Sequence, residues 1–297
     1  MIFEVWMPKT GGNLIQFLIG LDVVANTQVA QVALKHFFEK IPDMLEGSFT
    51  EQFMESMTAE MAFILRVYCE HKISSSKTDA VIGDILPELS VMNGYLRAKY
   101  DAIVTCSDDV ARAELEFVLN ELIKVCALLD FSDEVGRRAV FDTVQEVMQN
   151  LEICDAVFEQ CIQLLTRHAS GMSELLSMMT GFLAGFRDIY ETAGSQKSTE
   201  MTEDDEDALL DSYITDDVRI MANLKGLQII QSLLSTSGVS FANYPLLVTF
   251  LDEIVIPSVN SQFAAVQAAG LKCLGLCCTI EKVNTRANKY LYLLSHL

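Results

Sequence analysis

The chain has 297 residues, 51% of them hydrophobic and 21% charged, with 15 Gly and only 5 Pro. That is too much apolar material for a disordered tail and too little chain punctuation for an all-β architecture. Lys and Arg number 21 against 41 Asp and Glu, a net charge of −20. This excludes a whole-surface attraction to nucleic acid or anionic membrane, so any such contact needs a local basic patch.

Residues 1–8 carry Glu4 and no basic stretch ahead of an apolar run, so no secretory signal is read and the chain is expected to stay intracellular. The longest uncharged runs, 226–251 and 254–271, are interrupted by amides, hydroxyls, Pro245 and Pro257, and neither reads as a membrane span. The eight cysteines lie mostly within Leu/Val-rich helical patterns, where reduced cysteine behaves as a small buried hydrophobe.

In chain order, helical patterns are read at 13–21, 28–40, 49–57, 59–73 and 80–100. The clearest periodicity is at 109–130, where Leu115, Val118, Leu119, Leu122, Val125, Cys126 and Leu129 form one apolar stripe. Arg112, Glu116, Glu121 and Lys124 occupy the other positions, so that face is expected to meet water, with Glu121 and Lys124 paired across one turn. Ser132 is a good N-cap for the next helix, with Asp133 and Glu134 in its first turn and Val140, Val144, Val147, Met148 and Leu151 along its stripe. Val157, Cys161, Leu164 and Leu165 mark another helix, followed by patterns at 173–191, 218–234, 245–255 and 261–280. No strand alternation is evident. About a dozen helices, at about 40 to 47 residues per pair, match the period of HEAT or armadillo units. The expected fold is therefore all-α, a HEAT/armadillo-type α-α superhelix, which lets each helix pair bury its stripe on its neighbours.

One segment breaks the pattern. From Gly194 to Asp217 nine acids stand against Lys197 alone, and 193–215 is expected to be an acidic mobile loop. Ser198 and Thr202 have acids where an acid-directed kinase would read them, although a solvated linker accounts for the same charge run.

Chemical motifs are scarce. There is no GxxxxGK[ST], no GxGxxG after a strand, no HExxH and no GxSxG. Cys154, Cys161 and His168 share a helix face, but steps of seven residues place them about 10.5 Å apart, too far for one zinc. Cys273, Cys277 and Cys278 lie in a core-like run without CxxC spacing, and His36 and His71 read as surface residues beside lysines. No metal, cofactor or catalytic residue is expected. The glycine pairs Gly181/Gly185 and Gly270/Gly275 are read as close helix approaches. Arg137 and Arg138 are adjacent near the start of a capped helix. They can face a phosphate or pair with Asp133, Glu134 or Asp142.

The stretch DFSDEVGRRAVFDTVQEVMQN (130–150) resembles the HEAT-repeat G subunit family of condensin, called condensin subunit 3 in fungi. Residues 5–38 with EMAFILRVYCEH (60–71) are similar to the middle of that family, and LKGLQIIQSLL with the run to TIEK (224–282) resembles the opening of its C-terminal domain. The resemblance implies 1–192 as HEAT-like repeats and 216–297 as the start of that C-terminal domain. It implies a non-enzymatic condensin subunit that binds the kleisin, through it the SMC ATPase subunits, and double-stranded DNA without reading sequence. The implied location is the nucleus and mitotic chromosomes, with a cytoplasmic pool. Lys124, Arg137 and Arg138, with Lys35 and Lys40 behind them, are the candidate DNA-backbone residues. Family members are about three times longer, so the chain is expected to be a middle fragment or shortened copy. After IPSV (256–259), where the family carries basic residues, Asn260, Gln262 and Gln267 stand instead, leaving Lys272 alone. The alternative reading is an acidic scaffold that binds a protein partner but not DNA.

Overall fold

The structure, a computed structural model, describes residues 13–76, 79–196, 206–236, 241 and 243–280. Among them there is no strand, and the fold is the all-α class expected from the sequence. None of the described helices is long and apolar enough to cross a membrane. Packing divides the chain into two units, Met1–Met148 with Ile153–His168, and Gln149–Glu152 with Ala169–Leu297.

Among the described residues the first helix of the first unit is α1 (Leu14–Leu21), whose free N–H groups are capped by Asn13; its side-chain oxygen accepts from Ile15 N at 2.9 Å and Gln16 N at 3.3 Å. There follow α2 (Thr27–Lys40), the short α3 (Glu51–Glu55) and α4 (Ala59–Ser76). Every residue from Ala62 to Cys69 on α4 is buried, including Arg66. The expected helix over 80–100 is instead a 3₁₀ segment, Asp79–Asp84, and α5 (Leu89–Thr105). Pro87 lies between them, and proline clashes with the preceding helical turn and lacks an N–H to continue it.

Helix α6 (Asp109–Cys126) packs on α4, α5 and α8 (Asp155–His168). With neighbours on three sides, Val118 to Ile123, Val125 and Cys126 are all buried, so the two acids of the face expected to meet water do not, while Arg112 and Lys124 stay partly exposed. Glu121 is 0% exposed and Glu116 only 9%. Helix α7 (Glu134–Gln149) starts two residues after the expected cap. Asp133 caps it, accepting from Gly136 N at 2.8 Å and Val135 N at 3.3 Å, while Ser132 turns back to Asp130.

In the second unit, α10 (Glu206–Ser235) packs on both α9 (Met172–Gln196) and α13 (Ala264–Ile280). Between α10 and α13, α11 (Leu246–Phe250) runs through a π-helical turn, Leu251–Val255, into α12 (Ile256–Val259). In a regular helix the ring of Pro257 would clash with the carbonyl four residues earlier and offer it no N–H, and a widened turn relieves both. The segment 193–215, expected to be a mobile loop, is helical at 193–196 and 206–215. Residues 197–205, with Ser198 and Thr202, lie outside the described residues.

Of the four glycines read as close approaches, Gly270 alone fits that reading. A Cβ there would meet Val259 N at 3.0 Å and Ser258 C at 3.1 Å, whereas Gly181, Gly185 and Gly275 have nothing within 4 Å. Five of the eight cysteines, Cys69, Cys126, Cys161, Cys273 and Cys277, are buried, as small apolar residues are. Gly270→Ala is expected to destabilise the fold by about 1–3 kcal/mol, since backbone must move to admit the methyl group. Gly275→Ala should instead stabilise it by roughly 0.5–1 kcal/mol through a smaller loss of backbone entropy. Urea denaturation of the two variants checks this; equal midpoints would refute the Gly270 contact.

Candidate functional site

A lone cation in the run AFILRVYC must find a partner or pay for burial, and α4 presents Arg66 to α6. The Arg66 Nε–H donates to Glu121 Oε2, and Nη1 donates to Glu70 Oε1 at 2.7 Å. The guanidinium also lies 4.9 Å over the Phe63 ring. Burial works against its charge, but the attraction of Glu121 and then Glu70 outweighs burial, and Arg66 is held above its ordinary pKa.

The chain of charges extends at both ends. Lys124 Nζ donates to Glu121 Oε1 at 2.8 Å, the pair expected from the sequence, and Lys35 Nζ stands 3.7 Å from Glu70 Oε2. Gln31 donates to the same Glu70 oxygen at 3.4 Å. With its amide oriented to satisfy both ends, Asn120 donates to Ala156 O at 3.2 Å and accepts from Lys124 at 3.1 Å. Three cations thus alternate with two carboxylates. Beside them opens a cavity of about 380 Å³, lined among others by Gln31, Arg66, Lys124, Gln160, Gln163 and Arg167, with Glu70 as its one carboxylate. In a chain of net charge −20 this is a locally positive, amide-rich recess.

The structure therefore joins two of the five sequence candidates, Lys35 and Lys124, in one network. Arg137 and Arg138 instead share Glu134: Arg137 donates from Nη2 at 2.8 Å and Nε at 3.1 Å, and Arg138 from Nε at 2.6 Å. These bonds, Arg137's first, hold Glu134 below the usual carboxylate range. Arg137 also lies 5.4 Å over the Phe141 ring, while Arg138 remains 74% exposed. Lys40 is exposed in the last turn of α2, where a cation suits the helix dipole. Arg66, Arg167, Gln160 and Gln163 were not among the sequence candidates. Only Arg66 carried a signal, as a charge inside an apolar run.

A second cavity, about 1030 Å³, lies in the same unit and is lined by Leu86, Leu89, Leu129, Phe131, Asp133 and His168 among others. Two of its acids are engaged locally: Asp133 caps α7, and Asp130 accepts from Ser132 N at 2.9 Å and Oγ at 2.7 Å. His168 stacks on Phe131 with centroids 3.8 Å apart, and its Nε2 lies 3.1 Å from the Ala127 carbonyl. No group of three or more metal-ligating side chains occurs among the described residues. His36 pairs with Glu39 at 3.4 Å on the surface, and His71 rests against Phe38.

Against known proteins, the family described as nuclear condensing complex subunits, C-terminal domain, matches residues 225–297. Condensin complex subunit 3 of Schizosaccharomyces pombe is 24% identical over 99% of this chain and 36% of its own length. The chain is thus similar to condensin complex subunit 3 over nearly its whole length. The Saccharomyces cerevisiae condensin complex subunit 3 is 22% identical over 98% of the chain and 33% of its own length. The crystal structure of the S. pombe condensin Cnd3–Cnd2 subcomplex contains a chain with the same fold, at a TM-score of 0.75 and 24% identity, covering 94% of this chain and 34% of that one. The chain thus spans about a third of the length of the condensin subunit 3 relatives it matches.

Burial lowers the His168 pKa, Arg167 lowers it further, and the Ala127 hydrogen bond opposes both. Because the folded value lies below the ordinary one of about 6.5, the unfolded chain takes up the proton first. The stabilising contribution is present above pH ~6.5 and is lost as pH falls through the folded value. Thermal unfolding followed from pH 7.5 to 5 should show a fall in Tm that is smaller in His168→Phe, which keeps the stacking on Phe131. Superimposable profiles would contradict this.

Proposed function

We propose that this chain is a non-enzymatic HEAT-repeat segment of a condensin subunit that binds the kleisin and double-stranded DNA in mitotic chromosome condensation. The observation that carries the reading is the solved chain of the same fold, which was crystallised as half of the Cnd3–Cnd2 subcomplex and covers 94% of this chain. On this reading Cnd2 stands there in the place of the kleisin. On this reading the SMC ATPase subunits are reached through the kleisin. The chain works in the nucleus and on mitotic chromosomes, with a cytoplasmic pool. Residues 1–192 form HEAT-like repeats, and 216–297 open the C-terminal domain, nine residues before the family match begins at 225.

DNA contact follows from the local charge. Lys124, beside Arg66 and Arg167, lines a recess where phosphate oxygens meet donors, with Lys35 joined to it through Glu70, and Arg138 stands largely exposed beside Arg137. Lys40 adds an exposed cation at the end of α2. Such contacts are sequence-independent and salt-dependent, because each neutralised phosphate releases counterions.

The protein-only scaffold is favoured by one observation. Glu134 already engages both arginines, so a phosphate must compete for them with a carboxylate. Fluorescence anisotropy with a labelled duplex, on the chain bound to its kleisin, separates the two readings. Arg137→Glu with Arg138→Glu should weaken binding at least tenfold at 100 mM salt. Lys124→Ala should reduce the slope of log K against log salt by up to about 0.9, the value for one phosphate. Kleisin binding with no duplex binding at any salt would establish the scaffold. Unchanged affinity and slope in both variants would remove these residues from the DNA contact.

A further inference from the structure

The basic recess of the first unit grades from a buried floor to an open mouth, and that gradient bears on which phosphate it suits. Helices α2, α4, α6 and α8 all contribute to its lining. Arg66 of α4 lies deepest, at 4% exposure; Lys124 of α6 is partly exposed, and Arg167, in the last turn of α8, is exposed. Arg66 commits Nε to Glu121 and Nη1 to Glu70, which leaves its Nη2 to neither carboxylate. Arg167 is more available still. Every other arginine among the described residues stands in an ion pair with an acid, and Arg167 alone of them does not.

Three cations, Arg66, Lys124 and Arg167, line the recess against one carboxylate, Glu70, a surplus of two positive charges. Behind the lining, Glu121 is offset by Lys35, which stands 3.7 Å from Glu70. Glu159 accepts from Gln163 at 3.2 Å but is exposed, where water and salt screen it. A phosphate monoester carries close to two negative charges at pH 7, whereas each phosphate along a DNA strand carries one.

Reach and wall chemistry favour the same ligand. The phosphates of a duplex lie on the outside of a stiff rod and meet the groups at the mouth, whereas a phosphate at the end of a flexible side chain can pass Arg167 and Lys124 to reach Arg66. Gln31, Gln160 and Gln163 line the walls, and an amide both donates and accepts. Gln31 gives one N–H to Glu70 and Gln163 one to Glu159, and each keeps a second N–H besides its oxygen. A peptide backbone presents N–H and C=O groups that match such amides, while the sugar–phosphate backbone of DNA presents acceptors alone.

We infer that this recess binds a phosphorylated serine or threonine of a partner protein. The phosphate bridges Arg66, Lys124 and Arg167, and the glutamines hold the polypeptide backbone on either side of it. The inference rests on the reading of this recess as a phosphate contact, and it names the phosphate.

The test is fluorescence anisotropy on the full chain with a labelled, capped peptide of glycine and alanine that carries one phosphoserine. This peptide should bind at least tenfold more tightly than its unphosphorylated form, and at least tenfold more tightly than the same peptide with its phosphate methylated to a diester. Arg167→Glu and, separately, Gln163→Glu change exposed positions of the recess, and each should weaken phosphopeptide binding at least tenfold with an unaltered circular dichroism spectrum. Arg138→Glu, outside the recess, should leave it unchanged. Equal affinity for monoester and diester, with both displaced by a duplex, would make the recess a DNA contact; that overturns the inference and leaves the proposed function standing. Binding that ignores the phosphate, or that survives both recess variants, also overturns it. Phosphopeptide binding as described in a chain that binds no duplex at any salt supports the inference and removes the DNA contact from the proposed function.

Discussion

A charged pair sealed inside the first unit is the constraint on which the rest of that unit depends. Helix α6 is covered on three sides, so Glu121 has no solvent to receive its charge and must be met by Arg66 from α4 and Lys124 from its own helix. An isolated buried carboxylate is costly enough to protonate or to open the fold, whereas a saturated one fixes the register of two helices. Arg66 in turn engages Glu70, and Glu70 draws in Lys35 and Gln31. The basic recess is thus an outgrowth of a core interaction, and its cations are held in place before any ligand arrives. Preorganised donors of this kind lose little freedom on binding.

Much of the architecture was readable from local pattern. Helices at 14–21, 27–40 and 155–168 fall close to their expected places because their stripes are one-sided and their ends are marked by caps or turns. The errors arose where the local pattern is ambiguous. Pro87 divided an expected helix, and Asp133 took the cap assigned to Ser132 because its carboxylate reaches the free N–H of Gly136. The polar side of α6 was read as a water face since charge at helical spacing usually marks one. That it packs against three helices is a tertiary fact that no window of one helix contains.

The site was less legible than the fold. Five lysines and arginines could be picked out as basic, but whether a cation is available depends on which carboxylate lies next to it. Glu134, three and four residues before Arg137 and Arg138, was one of three partners that spacing allowed. Arg167, Gln160 and Gln163 carried no signal, because they line the recess only once α8 lies against α6. The amides after IPSV were recognisable as departures from a basic pattern. What they do instead depends on the cavity they share with α9 and α10 in the second unit.

The most direct measurement is a double-mutant cycle on the sealed pair, with Arg66→Met, Glu121→Leu and their combination compared by urea denaturation. Removing one partner leaves the other with its outer contact alone, Lys124 for Glu121 and Glu70 for Arg66, so each single change should cost up to about 3–5 kcal/mol, and the combination should cost markedly less than their sum, a coupling of about 2 kcal/mol or more. The double variant should also lose the ordered position of Lys124, visible as weaker duplex binding at low salt. Costs that add to within about 0.5 kcal/mol would show that the two charges do not depend on one another, and the account of the first unit would fail.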